Sequence, residues 1–240
     1  AQVSMNITNI NVTPLHKAFD EVCRCAQNRG LRVTGTEIVG LIPERTLLEA
    51  GKYFLEKQHR SAGIPKEDLL KIAIKSMGLE DLRPFKPEEK VVEYMLEADK
   101  KQNKLVDLTV KGFADETARE SPAPGGGSVS AYMGALGASL GTMVANLSSH
   151  KPGWDDRWDE FAKWAERGME IQEELLHLVD EDTEAFNRIM AAFGMPKKTD
   201  EEKALRSEAI QQATLFATEV PLETMKASSR VFELCRQMVA

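Results

Sequence analysis

The sequence predicts two architectures in series: an α/β segment over residues 1–96, then a linker at 97–106, then an all-α helical bundle over 107–240. Two observations carry this. Apolar residues alternate with polar ones at Val3, Met5 and Ile7 and again at Leu31 and Val33, with helical periods after each. Beyond about residue 107 the period of two disappears and only steps of three and four remain. Alternation marks a half-buried strand and steps of three and four mark a helix, so interleaved patterns read as α/β and an unbroken helical pattern as a bundle.

Val3, Met5 and Ile7 open the chain as a strand. Thr13-Pro14 then starts a helix with Leu15, Ala18, Phe19, Val22 and Ala26 on one face, and Gly30 closes it. Leu31 and Val33 resume the strand period towards Ile38 and Val39. A second helix runs from about Pro43 to Lys57, anchored by Leu47, Leu48, Tyr53 and Phe54. A third follows Pro65, with Leu69, Leu70, Ala73, Ile74 and Met77 on one side before Gly78. Glu97 to Asn103 is charged and has no turn residues, as a linker does.

In the second half, Val129 to Leu147 is rich in small residues, and Gly134, Ala138, Gly141 and Ala145 repeat at helical spacing, a stripe that permits close helix contact. Its length would span a membrane, but Ser130, Ser139, Thr142 and Asn146 make it a buried helix instead. Trp154 to Phe193 keeps helical steps for some forty residues. Thr199 with Glu202 forms a capping box for the next helix, which Pro221 is expected to kink or divide. The chain begins in strand alternation and stops in a helical pattern, so it is expected to be part of a longer polypeptide.

Composition narrows the function. Hydrophobic residues make up 42% and charged residues 29%, which is globular, and a net charge of −7 offers nucleic acid no broad basic face. Cys23, Cys25 and Cys235 are too few and scattered for a disulfide framework and suit a reduced, cytoplasmic protein. No His cluster completes a metal site around them. His16, His59 and His177 share no motif and read as surface or capping residues.

Chemistry concentrates in two places. Pro124-Gly125-Gly126-Gly127-Ser128 runs straight into the small-residue helix, with Ser128 at the N-cap position. Glycines let backbone approach a ligand closely, and the free N–H groups of a helix start suit a negative or carbonyl-bearing group. The bland alternative is a flexible loop with an ordinary cap. The second place is Leu178 to Phe186, whose four acids separate by helical spacing. Asp180 has Leu176, His177, Thr183 and Glu184 as neighbours and Glu184 a solvated face, whereas Asp182 is flanked by Leu178, Val179, Ala185 and Phe186, all apolar. Burial there disfavours the charged carboxylate unless a cation or donor compensates, and a carboxyl poised near neutrality can take and return a proton. A structural Asp bonded to a neighbouring helix is the alternative. Lys151, with His150, follows the small-residue helix, where a cation favours the dipole.

These segments resemble the formimidoyltransferase-cyclodeaminase family. Ser121 to Ala131, Gly137 to Ala145 and Leu178 to Phe186 are similar to its cyclodeaminase domain. Ala1 to Asn6, Glu37 to Pro43, Gly78 to Leu82, Pro84 to Pro87 and Val91 to Tyr94 are similar to the C-terminal subdomain of its transferase. The resemblance implies a partial ferredoxin-like α/β subdomain followed by a cyclodeaminase bundle truncated at its C-terminus. It implies a lyase that closes formiminotetrahydrofolate to methenyltetrahydrofolate with loss of ammonia, in histidine breakdown. Asp182 is then the catalytic acid, with Pro124, Gly125, Gly126, Gly127, Ser128 and Lys151 binding tetrahydrofolate, monoglutamyl or polyglutamyl, without a metal. A homodimer or higher homo-oligomer is implied, with no nucleic-acid or membrane partner.

The portion carrying the transferase's catalytic histidine has no counterpart here, so formimino transfer is not expected. The family's Gly before the basic pair is replaced in Ser149-His150-Lys151-Pro152, which weakens the assignment of Lys151. Two further readings stand beside the first: a methenyltetrahydrofolate cyclohydrolase, and a non-catalytic helical oligomerisation module.

Overall fold

The computed structural model describes residues 2–98, 104–121 and 123–239. It divides into two compact units, Ala1–Gln102 with Ser149–Ala162, and Asn103–Ser148 with Lys163–Ala240. Part of the linker expected at 97–106, residues 99–103, lies outside the described residues.

The first unit is helical. Its elements are α1 (Leu15–Gln27), α2 (Glu44–Glu56), α3 (Lys66–Met77), α4 (Pro87–Lys90) and α5 (Val92–Ala98). The apolar stripes of α2 and α3 bury Leu47, Ala50, Phe54, Leu70, Ala73, Ile74 and Met77 in one core. Gly78 ends α3 in the left-handed conformation at φ 62°, a conformation glycine adopts without a side-chain clash.

The α/β expectation is corrected here. Val3–Ile7 and Leu31–Val39 belong to no strand, and among the described residues strand-type pairing is limited to an isolated parallel bridge between Ile42 and Val91. Alternation prepares a strand, but a strand exists only when its N–H and C=O groups meet a partner ladder. Without one, Val3, Met5, Leu31 and Val39 stay exposed. The reading of His16 as a surface residue is also corrected. It is buried, its ring stacks on Tyr53 with centroids 4.4 Å apart, and burial holds its pKa below the ordinary histidine value.

The second unit holds a helical bundle, with α6 (Val110–Thr117) and most of three long helices: α7 (Gly126–Ser149), α8 (Trp158–Gly194) and α9 (Asp200–Val239). Thr109 caps α6, its hydroxyl oxygen accepting from the Gly112 N–H at 3.0 Å. The Thr199–Glu202 box starts α9 as expected: the Glu202 N–H donates to the Thr199 hydroxyl and the Thr199 N–H donates to the Glu202 carboxylate, both at 3.1 Å.

The small stripe of α7 turns inward. Ala138 and Ala145 are fully buried, a Cβ on Gly134 would meet Leu175 and Ser228, and one on Gly141 would meet Leu234. Pro221, expected to kink or divide its helix, lies inside α9 without ending it. Proline withholds one donor, from the carbonyl of Ala217, while buried residues on either side, Ala213 and Val220 before it and Thr224 and Ala227 after it, hold the helix by packing. No helix among the described residues is long and apolar enough to cross a membrane.

Candidate active site

The Gly125 carbonyl accepts from the Val129 N–H at 3.1 Å, so helical bonding begins at Gly125 and that residue occupies the cap. The sequence placed Ser128 at the cap; the helix starts earlier, and Ser128 lies in its first turn. Its N–H is one of the first-turn donors that no helical carbonyl can satisfy. That N–H donates to Asp182 Oδ2 at 2.8 Å. The Ser128 hydroxyl lies 3.0 Å from the same oxygen and 2.9 Å from the Val179 carbonyl oxygen, so its single hydrogen is shared between two acceptors. Ser128 is fully buried.

Asp182 comes from α8 and is half-buried, with Val179 and Ala185 buried beside it. Its carboxylate stands at the positive end of the α7 dipole, a favourable place for an anion. The donors that the sequence argument required are therefore those of Ser128. Close approach depends on Gly127: a Cβ there would overlap the Asp182 carboxylate. Gly125 and Gly126 carry no such demand, since a Cβ on Gly125 would make ordinary contact at 3.7 Å and one on Gly126 would meet nothing.

Gly125, Gly126 and Gly127 line a cavity of about 250 Å³ together with Asp182, Thr183 and Phe186. Ala123, Ala185, Ile189 and Ala217 complete its wall, so one face is backbone and carboxylate and the other apolar. That volume lies just below the usual range for sites enclosing a drug-sized molecule, about 300–1,000 Å³, and suits a ring-sized part of a ligand. Pro124 is buried after a cis peptide bond to Ala123.

Lys151 belongs to the first unit and is exposed, its ammonium 4.0 Å from the centroid of the Trp154 ring. A cation over an indole face is held by the ring quadrupole. Asp180 is the acid that sequence reasoning passed over. It accepts from the Leu105 N–H at 2.7 Å, and burial pushes its carboxyl above the usual Asp value. Leu105 lies 75 positions away, so no helical-spacing argument could have found it. Among the described residues no group of three or more His, Cys, Asp or Glu side chains could hold a metal ion.

Comparison with known proteins accounts for both halves of the chain. The family model described as formiminotransferase-cyclodeaminase matches residues 109–240, and that of the formiminotransferase domain matches 1–97. The chain belongs to the formiminotransferase-cyclodeaminase family. Formimidoyltransferase-cyclodeaminase from Gallus gallus is 35% identical over 92% of this chain and 41% of its own length. The chain therefore spans about two fifths of the curated relatives it matches over most of its length. Methenyltetrahydrofolate cyclohydrolase from Methylorubrum extorquens is 38% identical over 52% of this chain and 61% of its own length. A solved structure of formiminotetrahydrofolate cyclodeaminase from Thermotoga maritima is similar at 26% identity and a TM-score of 0.43, covering 56% of this chain and 74% of that one.

Proposed function

We propose that this chain carries a folate-dependent cyclodeaminase site that closes formiminotetrahydrofolate to methenyltetrahydrofolate and releases ammonia in histidine breakdown. The observation that supports it is the Asp182 carboxylate in the cavity that Gly125, Gly126 and Gly127 line. The backbone of these glycines receives the pterin against the apolar wall of Phe186 and Ile189. With the formimino group entering as an amidinium, the attacking nitrogen forms a new bond to the formimino carbon. Its proton passes to Asp182 and from there to the amine nitrogen, whose bond to carbon breaks. The positive charge stays on the methenyl product, ammonia leaves neutral, and the carboxylate is restored.

Asp182→Asn keeps the size of the side chain and an acceptor for Ser128 but cannot relay a proton. Calorimetric titration should show tetrahydrofolate binding retained, and an ammonia assay a loss of about 100-fold or more, the usual scale of general acid–base catalysis. Unchanged turnover ends the assignment. The cyclohydrolase reading has one observation in its favour, the similarity to the Methylorubrum extorquens enzyme over half the chain. Comparing ammonia release with hydrolysis of methenyltetrahydrofolate by the same preparation decides between them.

We assign the protein to a homodimer or higher homo-oligomer, because α7 exposes Met133, Leu136, Leu140 and Leu147 along one side. A monomer by sedimentation at micromolar concentration removes that part. The free thiols of Cys23, Cys25 and Cys235 support a cytoplasmic setting. Formimino transfer is not assigned to this chain.

A further inference from the structure

We infer that Ser128 is a positioning residue, one that fixes Asp182 so that Oδ2 is anchored by the protein and Oδ1 is left to exchange protons with the ligand. This deepens the cyclodeaminase reading and rests on it. Three independent observations lead to it.

First, both donors of Ser128, its N–H and its hydroxyl, converge on the same oxygen, Oδ2, at 2.8 and 3.0 Å, and no donor among the described residues reaches Oδ1. Second, Ser128 is fully buried, so its hydroxyl cannot touch a molecule in the cavity, whereas Asp182 lines that cavity. Third, the arrangement overrides a local habit of this chain. Beyond the first turn of their helices, Thr117, Thr142, Thr214, Thr218 and Thr224 each donate to the carbonyl four residues back. Thr183 does not. The oxygen it would use, that of Val179, accepts from Ser128 instead, and the Thr183 hydroxyl is buried without a partner. An unpartnered buried hydroxyl costs stability, so the Ser128 contact is maintained at the expense of a local bond.

The geometry also gives Gly127 its reason. Replacing its hydrogen with a methyl would overlap the carboxylate and break the two bonds on Oδ2. A carboxylate held at one oxygen keeps the other at a fixed distance from the reacting nitrogens, and misplacement by about 1 Å can cost about 100-fold in rate.

The test uses the full chain and three variants, Ser128→Ala, Asp182→Asn and the double substitution, with folding checked by circular dichroism. Ser128→Ala should lower kcat for ammonia release about tenfold or more, while KM and the calorimetric Kd for tetrahydrofolate stay within about twofold. Adding Ser128→Ala to Asp182→Asn should lower the residual rate no further, because the positioned group is already gone. Ser128→Cys, which keeps the shape of the side chain in a slightly larger form and weakens the donor, should lose kcat alone and supplies the same reading where the alanine variant does not fold. A Kd that rises with kcat unchanged means that Ser128 meets the ligand, and an unchanged kcat and Kd means that its contacts serve folding; either result overturns the inference. If the parent releases no ammonia, or Asp182→Asn releases it at the parental rate, the cyclodeaminase reading falls and takes Ser128 with it. Parental turnover abolished by Asp182→Asn but spared by Ser128→Ala removes Ser128 alone.

Discussion

Both units bring helices close by means of a glycine, but what the glycine meets differs. In the first unit Gly51 of α2 lies against the backbone of Leu69 in α3, where an added Cβ would overlap the carbonyl oxygen. In the bundle Gly141 of α7 faces the side chain of Leu234 in α9, with Cδ2 2.7 Å and Cγ 2.9 Å from an added Cβ. A side chain can rotate away, whereas a carbonyl held in a helical ladder cannot without breaking that ladder. Gly141 is therefore better placed than Gly51 to accept a methyl group.

Gly51→Ala should carry the largest effect, a loss of about 3 kcal/mol in urea unfolding, at the upper end of overpacking costs. Helix propensity works the other way by about 1 kcal/mol and does not rescue it. Gly141→Ala should cost less, about 1 kcal/mol, because Leu234 can repack while the gain in propensity offsets part of the strain. Equal losses at the two sites would break the comparison.

Asp180→Asn should show the smallest effect, and one that depends on pH. Burial holds the folded carboxyl above its unfolded value, so the native state binds more protons between those two values. Its contribution is fully present below the unfolded value and is lost as pH rises through the folded one. Asparagine keeps an acceptor for the Leu105 N–H and removes the charge. The variant should unfold at a slightly higher temperature than the parent at neutral pH. That advantage should vanish below the ordinary Asp range, and an advantage independent of pH would assign it to something other than the carboxylate.

The bundle was legible in advance because helical spacing is a local property. The steps from Trp158 to Phe193 became α8, with Trp154 left before it, the box at Thr199 became the start of α9, and the stripe from Gly134 to Ala145 became the inward face of α7. Strand alternation at Val3 to Ile7 was just as clear and led to no sheet, since a ladder needs a second strand and helical spacing does not. Of the two outcomes expected at Pro221, a kink or a division, division did not occur: α9 continues through it, with buried residues on both sides.

At the candidate site, neighbours three and four positions away were enough to single out Asp182 among four acids, and the glycines before α7 were visible as a run. The meeting of the two was not. Ser128 and Asp182 are 54 positions apart, and only the docking of α7 on α8 put the donors of one on an oxygen of the other. The same docking decided that Gly127 must lack a side chain, and a separate approach, that of Leu105, put a donor on Asp180. Periodicity tells which way a residue faces on its own helix; what stands opposite depends on how two helices pack, and that is settled by all their side chains together.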